Sequence, residues 1–169
     1  MKKILLSLII AVTAITTSNA QVRQKLPPLK LYSSYLTVLQ ELMSDGWRVV
    51  TEQKGTSYDE TVVYFFSASR NENLTCIFIN KELSSVSRTV PIEEGELIET
   101  ELLKELKLES AKAWTRQTLF GTTYLKMYTD KRTGEIWTFA RTPSKKCVFG
   151  IETTDCLSRE LKGYKPPSE

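Results

Sequence analysis

The chain has 169 residues, 41% of them hydrophobic and 25% charged, which is enough apolar material for one domain with a sizeable core. It contains no histidine, which excludes Ser-His-Asp and Cys-His catalysis, HExxH zinc binding and two-histidine iron sites. A net charge of +3 creates no global field for nucleic acid or anionic lipid.

The first segment, residues 1–20, reads "MKKILLSLIIAVTAITTSNA": two lysines, an apolar run from Ile4 to Ile15, and Ser18 and Ala20 at the small-residue positions of a cleavage site. It is expected to be a cleaved secretory signal, because the apolar run falls short of the ~20 residues that cross a bilayer. Gln21 follows it instead of a lipid-bearing cysteine, so the mature chain is expected to be soluble in the periplasm or secreted, with no membrane span. Loss of Lys2 and Lys3 brings the charge to about +1.

Residues 21–30, "QVRQKLPPLK", have a Pro-Pro pair and no periodicity, as in an extended lead-in. Leu31, Tyr35, Val38, Leu39 and Leu42 then stand at helical spacing up to a stop at Asp45-Gly46. "RVVTEQ" predicts a short strand and "GTSYDE" a turn. "TVVYFFSAS" and "NLTCIFIN", aromatic and β-branched around "RNEN", predict a buried hairpin. Cys76 lies inside its second strand.

After "KELSSVSRTV", Pro91 opens a second helix, where a missing N–H costs no hydrogen bond. Ile98, Leu102 and Leu106 form its apolar row with Leu103 beside them. Its glutamates, at 93, 94, 96, 99, 101, 105 and 109, are expected on a solvated acidic face. The charge then reverses. "TTYLKMYTDKRTGEIWTFARTPSKKCVFGIET" predicts three strands joined by "DKRTG" and "TPSKK" turns. "TTDCLSREL" predicts a short helix capped by Thr154 or Asp155, and residues 163–169 a tail.

These elements make one α+β domain over residues 31–162, with antiparallel β-hairpins packed against two main helices. Two αββ-like halves, 31–90 and 91–162, can be laid side by side with Tyr64 against Trp137 and Cys76 against Cys147. Export makes a disulfide plausible. Cys147 and Cys156 enclose a loop that a strand and a turn can close, leaving Cys76 as an unpaired thiol; a bond from Cys76 to either of the others, and no disulfide at all, stay open.

The stretch from residue 124 to 151, with "TGEIWTF", a polar turn and "CVFGI", resembles the ending of small exported proteobacterial proteins of uncharacterised function. "LMSDGWRVV" with the hairpin to Cys76 is similar to their opening. The resemblance implies a small α+β domain and no activity.

No CxxC spacing suits zinc, no Gly-rich loop suits phosphate, and the acidic residues gather on one helix surface and do not face each other across a cleft. No cofactor or metal is expected, and no enzyme. Trp47 and Trp137 are expected in the core. Trp114 and Arg116, with Lys131, Arg132, Lys145 and Lys146, offer a possible interaction surface, against core packing for the tryptophan. The expected role is an exported binding or accessory protein with a protein partner in the envelope or outside the cell. The alternative is an inhibitor of an envelope or extracellular enzyme, presenting "DKRTG" or "TPSKK".

Overall fold

The computed structural model describes residues 25–106, 112–131 and 133–165. The export signal expected over residues 1–20 therefore lies outside the described residues, as does Arg132. Helix α1 (Tyr35–Ser44) begins where the Ser34 hydroxyl accepts the Thr37 N–H and buries Val38 and Leu42. Strands β1 (Arg48–Lys54), β2 (Glu60–Ser67), β3 (Glu72–Ile79) and β4 (Glu82–Pro91) follow as an antiparallel meander. Helix α2 (Ile92–Glu105) comes next, then a second meander, β5 (Lys112–Thr118), β6 (Gly121–Thr129), β7 (Ile136–Arg141) and β8 (Lys146–Glu152). Helix α3 (Thr154–Glu160) and a 3-10 turn (Leu161–Gly163) end the described chain.

The two meanders join through their last strands, β4 and β8, to give one eight-stranded sheet in the order β1-β2-β3-β4-β8-β7-β6-β5. The fold is a mixed α+β with three α-helices among the described residues, and each of its halves is a helix followed by four strands. The alignment of Cys76 with Cys147 matches β3 to β8, whereas strand order makes β4 the counterpart of β8. Strand β4 was not legible because "ELSSVSRTV" is serine-rich. It is a central strand all the same, since both neighbours satisfy its backbone and both of its faces are covered. Strand β5, "KAWTRQT", likewise lacks a strand-like apolar pattern and lies at the sheet edge.

Side chains alternate across the sheet. On one face Val63, Phe65, Leu74, Cys76, Val86, Trp137, Phe139, Cys147 and Phe149 form the core with Val38 and Leu42 of α1 and Ile98 and Leu102 of α2. Trp47 closes this core and Leu26 enters it, so the lead-in is partly packed. The acidic face expected of α2 is broken by Glu99, which is 5% exposed. The fold places it over Lys126 and Arg141, which supply charge-assisted partners at 3.1 and 2.7 Å, while the Tyr128 hydroxyl donates to its Oε1.

Candidate functional site

The opposite face carries the site. Cross-strand pairing sets Ser87, Gly150 and Thr138 in one row, and Val148, Ala140, Leu125 and Trp114 in the next. These are small, hydroxylated or aliphatic side chains, so this face leaves a hollow where the core face is filled. A Cβ at Gly150 would run into the Val86 carbonyl and the Ser87 side chain, so the β4–β8 approach at this row admits only glycine.

Helix α3 turns back over this hollow because Thr153 caps it, its hydroxyl accepting the Cys156 N–H at 3.2 Å. The cap falls one residue before Thr154 and two before Asp155, the expected positions. Arg159 then anchors the helix to the β1–β2 turn through two bonds to Asp59, at 2.9 and 3.0 Å, and one to Asp155 at 3.2 Å. Arg159 holds the Asp59 carboxyl below its usual range. Past the 3-10 turn, Lys165 pairs with Thr115 on β5 through N–O distances of 2.7 and 3.2 Å. The segment expected to be a free tail is thus, in its first three residues, a strap that crosses the sheet and bridges to β5.

Between the strap and the sheet lies a cavity of about 520 Å³, within the about 300–1,000 Å³ typical of small-molecule sites. Ser85, Thr138, Leu125, Ala140 and Val148 line its sheet wall, and Cys156, Glu160 and Lys162 its strap. Glu152, at the end of β8, lies inside at 7% exposure. Its Oε1 accepts a bond from the Thr138 hydroxyl at 2.7 Å, and the carboxyl is otherwise partnered only by that of Glu160. The group it faces is the carboxyl of Glu160. Burial first, and then that neighbour, push Glu152 up to about 8. Burial also raises Glu160, against the pull of Arg116.

Glu152 and Glu160 correct the expectation that the chain's acidic residues do not face each other across a cleft. They escaped sequence reading because eight residues and a helix cap separate them. The one available signal was a glutamate at the same strand parity as Val148 and Gly150.

The expected disulfide between Cys147 and Cys156 is not formed: Cys76, Cys147 and Cys156 are free and buried. Strand alternation explains it. Cys147 points with Phe149 into the core, against Gly95 of α2, while Cys156 lies across the sheet beside Glu152. Burial pushes Cys76 up to about 12 and Cys147 to about 11. Cys156 goes higher still, through burial and then the charges of Glu152, Glu160 and Glu60.

The residues expected to share an interaction surface are dispersed. Trp114 and Arg116 lie on the cavity face, Trp114 half-buried and Arg116 lining the cavity. Lys131 sits in the β6–β7 turn, at one end of the sheet, and Lys145 and Lys146 at the β7–β8 turn, at the other. Among the described residues no group of three or more Cys, Asp or Glu side chains converges as metal ligands do, and no helix is long and apolar enough to cross a membrane. Comparisons with protein-family models, curated proteins and solved structures find no match to this chain.

Proposed function

We propose that the protein is an exported, non-enzymatic binding protein that holds a small amphipathic ligand between its sheet and its C-terminal strap. The observation that carries this reading is the cavity itself, aliphatic on the Leu125, Ala140 and Val148 side and polar around Glu152, Thr138 and Ser85. Such sites combine an apolar body with a few placed polar groups. Export rests on the charged, apolar and small-residue pattern of residues 1–20.

Binding is favoured over catalysis by the chemistry of the lining. Glycoside hydrolysis needs carboxyls about 5 Å or more apart, whereas Glu152 and Glu160 are in hydrogen-bonding contact. The Cys156 thiol is held protonated, which suppresses nucleophilic attack. The test is a two-dimensional NMR titration of the mature protein against short-chain amines, acids and alcohols. Saturable shifts gathered on Ser85, Thr138, Val148 and Cys156 are expected. A set of compounds that leaves these signals unmoved overturns the reading.

An inhibitory role has one observation in its favour, the rigidity of the Thr142–Lys146 turn. It is closed by Thr142 N–H to the Lys146 carbonyl at 2.9 Å, Lys145 N–H to the Thr142 carbonyl at 3.2 Å, and a Thr142–Ser144 hydroxyl contact at 2.9 Å. A stoichiometric complex with an envelope hydrolase, lost on Lys145→Ala, is the outcome this second reading requires.

A further inference from the structure

We infer that the ligand of this cavity carries an ammonium group, seated against Glu152 and Glu160 with Glu60 beside them, and an aliphatic body laid on Leu125, Ala140 and Val148. The inference rests on the binding role proposed above and names the ligand's chemistry.

Three carboxyls from three separate elements, Glu60 of β2, Glu152 of β8 and Glu160 of α3, line one cavity. The charges of all three raise the Cys156 thiol, which lines the same cavity. Glu152 is the telling member. It is more than nine-tenths buried, its Oε1 is occupied by Thr138, and the carboxyl is otherwise partnered only by that of Glu160. Two buried carboxyls in contact share one proton and keep one negative charge between them. An ammonium supplies three donors and a positive charge at one point.

The cations around the cavity do not already fill that place. Arg159 is occupied by Asp59 and Asp155. Arg116 packs against Gly163, and both Arg116 and Lys162 are exposed at the rim. An anionic head seated at Glu152 and Glu160 would be repelled by the negative charge that pair keeps. A hydroxyl head would bring one donor and no charge. A bare metal ion lacks convergent ligands among the described residues.

Proton linkage gives the inference a second readout. Around Glu152 stand Glu160, its hydrogen-bond partner Thr138 of β7, and, lining the same cavity, Cys156 and Arg159 of α3, Glu60 of β2, Lys162, and Arg116 of β5, which pulls on Glu160; the Tyr164 hydroxyl is close enough to be raised by Glu152. Below about pH 8 the Glu152–Glu160 pair holds a proton that an arriving cation must displace. An alkylamine, with a pKa near the ~10.4 of lysine, is itself cationic throughout that range. Its affinity should therefore rise from pH 6 to pH 8 and level off above.

The experiment is isothermal titration calorimetry of the mature protein with n-hexylammonium chloride, 1-hexanol and sodium hexanoate, at pH 7 in two buffers of different ionisation enthalpy. Saturable one-site binding of hexylammonium with proton release is expected, at least tenfold tighter than the alcohol or the carboxylate. Glu152→Gln should weaken it about tenfold and abolish the proton release, and Glu160→Gln, at a half-buried position, should weaken it similarly. Hexanol or hexanoate binding as tightly as hexylammonium overturns the ammonium assignment while leaving a binding cavity in place. Unchanged hexylammonium affinity in the two variants, or no hexylammonium binding at all, overturns it equally. Should Glu152→Gln fail to fold by circular dichroism, Glu160→Gln decides.

Discussion

Glu99 and Glu152 are buried on opposite faces of one sheet, and their neighbours decide what burial does to each. Glu99 meets Lys126, Arg141 and the Tyr128 hydroxyl, so its charge is compensated where it stands. Glu152 meets one hydroxyl and a second carboxyl, so its proton is retained up to about pH 8. A carboxyl whose pKa is raised on folding binds more protons in the native state than in the unfolded one. Stability from this group is therefore complete below about pH 4.5 and is lost as pH rises through about 8. Urea midpoints measured from pH 5 to 8.5 should fall for the wild type and stay flatter for Glu152→Gln; parallel curves would contradict the assignment. The thiols make a second prediction at this scale. With Cys76, Cys147 and Cys156 buried and their ionisation suppressed, the native protein should take up no Ellman reagent at pH 7.5, and three equivalents after denaturation without reductant. Any uptake below three in the denatured protein would reveal a disulfide.

Among the elements, α2 shows how far a pattern can be read. Its apolar row was legible from spacing alone, and Ile98 and Leu102 are in the core as that row requires. The burial of Glu99, one residue on, was not, because it depends on two cations more than 25 residues away. Gly95 is equally a matter of contact: a Cβ there would strike Cβ and Sγ of Cys147 on β8. Gly95→Ala should therefore lower stability by about 1–2 kcal/mol in chemical denaturation. Overpacking of about 1–3 kcal/mol outweighs the ~1 kcal/mol that alanine contributes to a helix interior. Cys147→Gly removes the opposing atoms, and in that background Gly95→Ala should become neutral or stabilising. A loss unchanged by Cys147→Gly would place the cost elsewhere.

At the scale of the whole molecule, the sheet is continuous only through the β4–β8 pairing, whose seven registered pairs run from Ser85–Glu152 to Pro91–Lys146. Both strands are central, while β1 is exposed along its whole length and β5 is held at its outer edge by the Thr115–Lys165 bridge. Amide hydrogen exchange should be slowest in β4 and β8 and fastest in β1. The order reversed, with β4 and β8 exchanging first, would mean that the meanders fold as separate units. The same pairing positions the site, since Ser85 and Glu152 are cross-strand partners at one end of it.

The sequence by itself determined the α+β character, the apolar rows of α1 and α2 and the strands whose apolar residues alternate, because those signals lie within a few neighbouring residues. It also determined which chemistries lack their residues, histidine foremost. Tertiary structure alone decided that the serine-rich β4 is central, that Cys147 and Cys156 stand on opposite faces, and that Glu60, Glu152 and Glu160 line one cavity. Each of these depends on which strands become neighbours and on which face a returning helix covers, and such contacts join residues that no local period relates.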